Sequence, residues 1–313
     1  MKQGIALFVL AAGCAHSAYA GFVASATSNA AVRQLQDGVY VDVQPWAFSV
    51  ADGNPLYSGG ASNTAAASTN GPNVLVNGMT ASARAEADLA TGKLKSYAHV
   101  SNANLAPAAP FTVVASGLAT FSDSFSVGDI DGGPFSWSAG SEVVFRMHLD
   151  GSLASTGVLG LPTFSVWFNL FEFGTVGSSA FQAGRERGGV GWNSNNLGGV
   201  RASGSSNMTW STRGNLANGG LDLEARFNPM GNFDWSVTLV TTAFMNFGVG
   251  SRTADFGHTM SVGYGGPDGS TTTSSSGVFP GLAQPVSAPG SLALVMAGLS
   301  ALVLGRRRQL GQR

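Results

Sequence analysis

The amino-acid sequence predicts an all-β protein: an antiparallel β-sandwich of jelly-roll-like form, flanked by an N-terminal signal peptide and a single C-terminal transmembrane helix. Three observations predict it. Several runs alternate apolar and polar residues with period two, which sends successive side chains to opposite faces of a strand. Glycine supplies 44 of 313 residues and charged residues only 11%, against about 7% glycine and a quarter charged in an average domain. Both ends carry apolar segments with basic residues beside them, unlike the chain between.

The N-terminus reads Met1-Lys2-Gln3, then ten uncharged residues from Gly4 to Gly13, then Ala18-Tyr19-Ala20. A basic start, a short apolar stretch and an Ala-x-Ala site specify a secretory signal peptide. Residues 1–20 are assigned to it, with signal peptidase cutting after Ala20. Cys14, the only cysteine, leaves a lipoprotein signal as the alternative, although Leu10 stands one residue too far from it. After cleavage at Ala20 the domain holds no thiol, so no disulfide or cysteine-ligated metal can staple it.

Residues 21–266 are assigned to the sandwich. Tyr40 to Gln44 is a first candidate strand. Ala81 to Ala87, with Arg84 and Glu86, also favours a helix, but its alternation of alanine with polar residues continues past Thr91-Gly92 into Leu94 to Val100, which predicts a β-hairpin. Phe121 to Val127 follows. Val143, Phe145, Met147 and Leu149 alternate with Val144, Arg146, His148 and Asp150, and Asp150-Gly151 is expected to turn the chain. Phe164 to Phe173 is apolar on both faces, as suits a strand inside a packed sheet. Leu221 to Phe227 is apolar at every odd position, Trp235, Val237 and Leu239 repeat that pattern, and Met260 to Tyr264 closes the series. Stretches rich in Gly, Ser, Asn and Thr, namely Ser58 to Pro72, Gly184 to Ser206 and Pro267 to Gly277, are expected to be loops. Residues 267–287 are assigned to a flexible linker.

Five of the 16 lysines and arginines, Lys2, Arg306, Arg307, Arg308 and Arg313, lie in the terminal segments, leaving 11 against 17 acidic residues and a body charge of −6. An acidic body with no basic run argues against nucleic acid as a partner, because phosphate contacts need clustered Lys and Arg.

Candidate chemistry is sparse. His99, His148 and His258 have no second histidine at metal-ligand spacing, and no nucleophile-elbow, zinc-protease or phosphate-loop motif occurs. Asp123, Asp129 and Asp131, the last two beside Gly132-Gly133, are the candidate ligands of a Ca²⁺ loop; the other reading is an ordinary Asx/Gly turn, because the twelfth position from Asp129 is Gly140 and Glu142 comes two residues late. Trp192 and Trp210 sit among Gly, Ser and Asn, where loop aromatics could stack on sugars with Arg185, Glu186, Arg187 and Asn193 nearby; the other reading is that both rings cover the core. No cofactor is expected and no catalytic residue is assigned. Two carboxylates brought together by folding, as in a polysaccharide hydrolase, stay open as an alternative.

At the C-terminus, Leu292 to Leu304 is apolar except for Gly298 and Ser300, and Arg306-Arg307-Arg308 follows. Thirteen helical residues span about 20 Å and seventeen, from Ala288, reach the lower limit for a hydrocarbon core of about 30 Å. The arginines hold the cytoplasmic side, so the body lies on the other. The order Val286-Ser287-Ala288-Pro289-Gly290-Ser291, apolar helix (about 288–305), arginine cluster resembles the PEP-CTERM sorting signal of bacterial exosortase substrates, with Ser287-Ala288-Pro289 where that family has a Pro-Glu-Pro-like motif. Residues 288–313 are assigned to this sorting tail; a plain tail anchor is the alternative. Three stretches of the body, Ala87 to Leu94, Phe145 to Leu153 and Ala254 to Thr259, are similar to stretches that recur in such proteins. The resemblance implies an exosortase-type processing enzyme as partner, an inner-membrane-anchored precursor, release or transfer to the cell surface or beyond, and a link to exopolysaccharide or biofilm. The sequence therefore leads to the expectation of an exported, non-catalytic surface or matrix protein, with a carbohydrate-binding sandwich as the alternative.

Overall fold

The computed structural model describes residues 23–276 apart from 37–38, 54–65, 70–72, 77, 104–110, 139–140, 159, 174, 177–178, 181–184, 195–199, 205–207, 219, 229–231, 247 and 275. The signal-peptide assignment with Ala18, Ala20 and Cys14, and the sorting tail with Ser287, Ala288, Pro289, Gly290 and Arg306 to Arg308, fall outside the described residues.

In chain order the strands begin with β1 (Val23–Gln36), β2 (Val39–Gly53), β3 (Ala66–Thr69), β4 (Asn73–Val76), β5 (Met79–Asp88) and β6 (Lys93–Asn102). Then come β7 (Phe111–Asp129), β8 (Val143–Thr156), β9 (Thr163–Phe173), β10 (Thr175–Val176), β11 (Ser179–Ala180) and β12 (Arg185–Ser194). The series ends with β13 (Val200–Gly204), β14 (Met208–Asn215), β15 (Gly220–Phe227), β16 (Asn232–Met245), β17 (Gly250–Gly265) and β18 (Ser270–Ser274). Among the described residues every pairing is antiparallel. Sheet A runs β13-β12-β9-β16-β7-β1-β2, with β18 also on β7; sheet B runs β14-β15-β8-β17-β6-β5-β3, with β4 also on β5. The two pack face to face, as the alternation requires: in β15 Leu221, Leu223, Ala225 and Phe227 are buried while Asp222 is exposed.

The core has two ends of different texture. One is aromatic, with Phe145 between Phe168 (4.7 Å between ring centroids) and Trp235 (4.9 Å), and Phe125 against Tyr264 (4.7 Å). The other is lined by Ala30, Ala81, Ala83, Ala98, Ala115 and Ala243. Small side chains let backbones approach: Cα atoms of β1 and β5 come within 8 Å across the core, where stacked sheets ordinarily lie about 10 Å apart. There Ser96 of β6 and Thr241 of β16 share a buried hydroxyl hydrogen bond of 2.8 Å that ties one sheet to the other.

Four sequence expectations are corrected here. Asp150-Gly151 is not a hairpin turn, because β8 continues through it to Thr156. Gly184 to Ser206 is not one loop but holds β12 and β13, and β3 lies within Ser58 to Pro72. The linker does not begin at Pro267, because β18 pairs with Phe125 to Asp129 of β7 and Ser276 is fully buried.

The position of β18 matters most. Val23 of β1 stands opposite Ser122 on β7 and Ser274 of β18 stands opposite Phe125. Since β16 fills the other side of β7 at Phe125, β18 and β1 lie end to end along one side of it. The first and last described segments of the domain thus meet beside Ser122 to Phe125.

Candidate functional site

The proposed Ca²⁺ ligands do not converge. Asp123, at an inward position of β7 between Phe121 and Phe125, is 1% exposed. Its carboxylate accepts hydrogen bonds from the Ser276 hydroxyl (2.5 Å), the Ser276 N–H (3.2 Å) and the Ser124 N–H (2.8 Å). Burial pushes its pKa up to about 6, with the hydrogen bonds from Ser276 and Ser124 opposing that rise. Asp129 lies six residues further along the same strand, about 20 Å away at ~3.3 Å per residue. Asp129 Oδ1 instead accepts the Asp131 N–H at 2.9 Å, an Asx turn. Asp123 clamps the last described residue, Ser276, to β7, and among the described residues no three His, Cys, Asp or Glu are grouped to hold a metal.

The tryptophan pair is corrected as well. Trp192 lies in β12, 0% exposed, packed between the sheets, with Val166 and Ala202 as its cross-strand neighbours. Trp210 lies in β14 of sheet B, partly buried against the same core. The two belong to different sheets and cannot form one stacking surface. Glycines around Trp192 imitate a loop in the sequence, but the large area of an indole is worth most when buried, and the strand turns it inward.

That inward turn sends the flanking Gly191 and Asn193 to the outer face. Directly opposite Gly191 on β9 is Trp167, 42% exposed. The missing side chain of Gly191 is what seats it: a Cβ there would lie 2.5 Å from Cζ3 and 2.6 Å from Cε3 of the indole. On the other flank Trp167 faces Thr238 of β16, whose hydroxyl shares a 2.9 Å hydrogen bond with that of Thr120 on β7. Ser165 and Asn169 flank Trp167 along β9. Of the charged side chains described on this face, Arg201 stands on edge strand β13 opposite Asn193, Asp234 near the start of β16 and Arg33 near the end of β1, and none is paired with Trp167; the side chains of Glu172 on β9 and of Arg185, Glu186 and Arg187 on β12 lie outside the described residues. The reading of Phe164 to Phe173 as apolar on both faces concealed this site. Its outward set is Ser165, Trp167 and Asn169, and two polar residues bracketing a tryptophan at period two was the signal available.

The outer face of sheet B is the opposite in character. Arg146 donates to Glu224 at 2.8 Å, and Arg226 donates to Glu224 at 2.7 Å and Glu142 at 3.3 Å. Arg226 first, and Arg146 with it, holds the Glu224 carboxyl below its usual range. Lys95 meets Glu86 at 2.9 Å, and the Arg84 guanidinium sits 4.5 Å from the Tyr97 ring centroid. His99 Nδ1 lies 2.8 Å from Thr253 Oγ1, and burial lowers its pKa. Ser261, His148 and Asp222 stand in one row across β17, β8 and β15. His148 Nδ1 lies 2.7 Å from Asp222 Oδ1, and its Nε2 is 2.9 Å from where a Cβ of Gly220 would be. Both ring nitrogens therefore lie over β15, on the side away from Ser261, and the row does not have the nucleophile–base geometry of a serine hydrolase.

The three body stretches singled out in the sequence come together on sheet B. Phe256 of β17 pairs with Ser96 and Met260 with Leu94, so residues 257–259 stand opposite Lys95 alone, a bulge. On its other side Asp255 pairs with Ser152 and Thr259 with Asp150. Gly151, between them, must lack a side chain: a Cβ would enter the Phe256 ring and lie 2.6 Å from the Asp255 carbonyl oxygen. The hairpin turn adds the Gly92 carbonyl, which accepts the Val262 N–H at 2.8 Å. Leu89, Leu94, Leu149, Phe256 and Met260 are all buried beneath. These stretches build core and bulge. The side chain of His258, at the bulge, lies outside the described residues. No protein-family model, no curated protein and no solved structure matches this chain.

Proposed function

We propose that this chain is an exported, non-catalytic cell-surface or extracellular-matrix protein, made as an inner-membrane-anchored precursor with its β domain on the non-cytoplasmic side. An exosortase-type enzyme acts on its PEP-CTERM-like tail, and its setting is exopolysaccharide or biofilm. The observation that carries this reading is the C-terminal order Ser287-Ala288-Pro289-Gly290, apolar segment, Arg306-Arg307-Arg308. A short apolar helix with cations fixed to one end favours lipid and keeps that end cytoplasmic. The fold is compatible in one respect: the last described residue, Ser276, is held by Asp123, and residues 277–287 lie between it and the tail. Among the described residues no helix is long and apolar enough to cross a membrane.

The jelly-roll form belongs to the same proposal. Eight strands in the orders β6-β17-β8-β15 and β7-β16-β9-β12, with the chain passing repeatedly from one sheet to the other, support two Greek keys folded into a jelly roll.

Mass spectrometry of the protein isolated from its own cells tests the sorting reading. The expected mature species begins at Gly21 and ends within or near residues 287–290. A mature species that keeps Arg313 overturns processing, and one that keeps Met1 overturns export through the signal peptide.

A further inference from the structure

An indole left 42% exposed in the middle of a sheet has a local cause in Gly191, and the residues around it have a chemistry of their own. Ser165 and Asn169 along β9, Thr238 opposite on β16 and Asn193 on β12 border the ring with hydroxyls and carboxamides, Thr120 continues the polar row one strand beyond Thr238, and none of the described charged side chains, Arg201, Asp234 and Arg33, is paired with Trp167. A pyranose needs that combination: its C–H face stacks on an aromatic ring and its hydroxyls exchange hydrogen bonds with neutral donors and acceptors. A polyanion needs clustered Lys and Arg. A protein partner needs a broader apolar centre.

We propose that Trp167 is the stacking platform of a binding site for a neutral polysaccharide on the outer face of β9, β12 and β16. The inference rests on the surface-protein reading above and names its ligand class. Two strands specify the platform together. β9 supplies the ring and β12 supplies, at Gly191, the vacancy against which the ring leans, so the site can be spoiled without touching the tryptophan.

The test is isothermal titration of the full chain in detergent micelles with cellohexaose and laminarihexaose, and with an alginate hexamer as the anionic control. Saturable binding of at least one neutral hexaose is expected. Trp167→Ala is expected to weaken it about tenfold, the scale of one lost stacking contact. Gly191→Ala, which displaces the indole, is expected to weaken it similarly. Trp210→Ala on the other sheet is expected to leave it unchanged. Should Trp167→Ala fail to fold, Trp167→Tyr keeps a smaller ring and is expected to lose part of the affinity. Equal binding by the parent, Trp167→Ala and Gly191→Ala chains overturns the proposal. So does binding of alginate alone, or of none of the three. A mature species correctly cut at both ends that binds no saccharide removes this inference only, whereas an uncut chain removes the surface-protein reading and leaves the titration to be judged on its own.

Discussion

Asp123 is an acid at a position where β7 otherwise turns apolar residues inward, and its neighbours along the strand, Phe121 and Phe125, are fully packed. The Ser276 hydroxyl and N–H, the Ser124 N–H and the Ser274 side chain make it tolerable there. The remaining desolvation raises its pKa to about 6, above the ordinary value near 4. A raised acid pKa means that the folded state holds the proton more tightly than the unfolded one. Its contribution to stability is therefore complete below about pH 4 and is lost as pH rises through about 6. Asp123→Asn is expected to flatten that dependence and to be more stable than the parent above pH 6 by about 2 kcal/mol, measured by urea unfolding from pH 4 to pH 8. Asp123→Ala leaves the Ser276 and Ser124 donors without this acceptor and is expected to cost about 3 kcal/mol. At Asp129 and Asp131 the Asx turn accounts for the geometry without an ion, so a melting temperature unchanged by EDTA is expected, and a drop of more than about 5 °C would restore the Ca²⁺ reading.

At the scale of elements, β18 is the test of where the domain ends. Its sequence, Ser-Thr-Thr-Thr-Ser, has no apolar residue and hence no period-two signal, so it passed for linker; what fixes it is backbone pairing with β7 and the Ser276 clamp. A domain ending at residue 276 is expected to melt as one cooperative unit. One ending at residue 266 bares the β7 edge at Phe125 to Asp129, leaves Asp123 without Ser276, and is expected to melt several degrees lower, by about 2–4 °C per kcal/mol lost. Calorimetry of the two forms decides it. Strands whose burial follows their own alternation were legible: Leu221 to Phe227, Val143 to Asp150, and the hairpin of Ala81 to Ala87 with Leu94 to Val100. Strands specified by their neighbours were not. Asp150-Gly151 favours a turn by itself, but Phe256 of another strand needs the space above Gly151. The glycines of β12 suggest a loop, but one of them exists for Trp167. The candidate site was missed for the same reason, since which tryptophan faces water depends on the phase of its strand relative to a partner far away in sequence.

The described side chains make two unlike surfaces: a charged one on sheet B, on which Arg146, Glu224, Arg226 and Glu142 neutralise one another, and on sheet A the uncharged polar neighbours of Trp167. Surface ion pairs of this kind are worth about 0–1 kcal/mol each, so the charged face adds solubility more than stability. The aromatic and alanine ends of the core carry the fold through pairings as distant as Phe121 with Val237, and such long-range sheets form slowly. The shared lane of β18 and β1 along β7 has a mechanical result. If the protein hangs from a membrane by its tail, shear on the body arrives first at Ser276 and Asp123, then at the five residue pairs of β18, and only afterwards at the sandwich. Under such a load the last described strand, held by those five pairs alone, is expected to peel away before the strands paired on both sides.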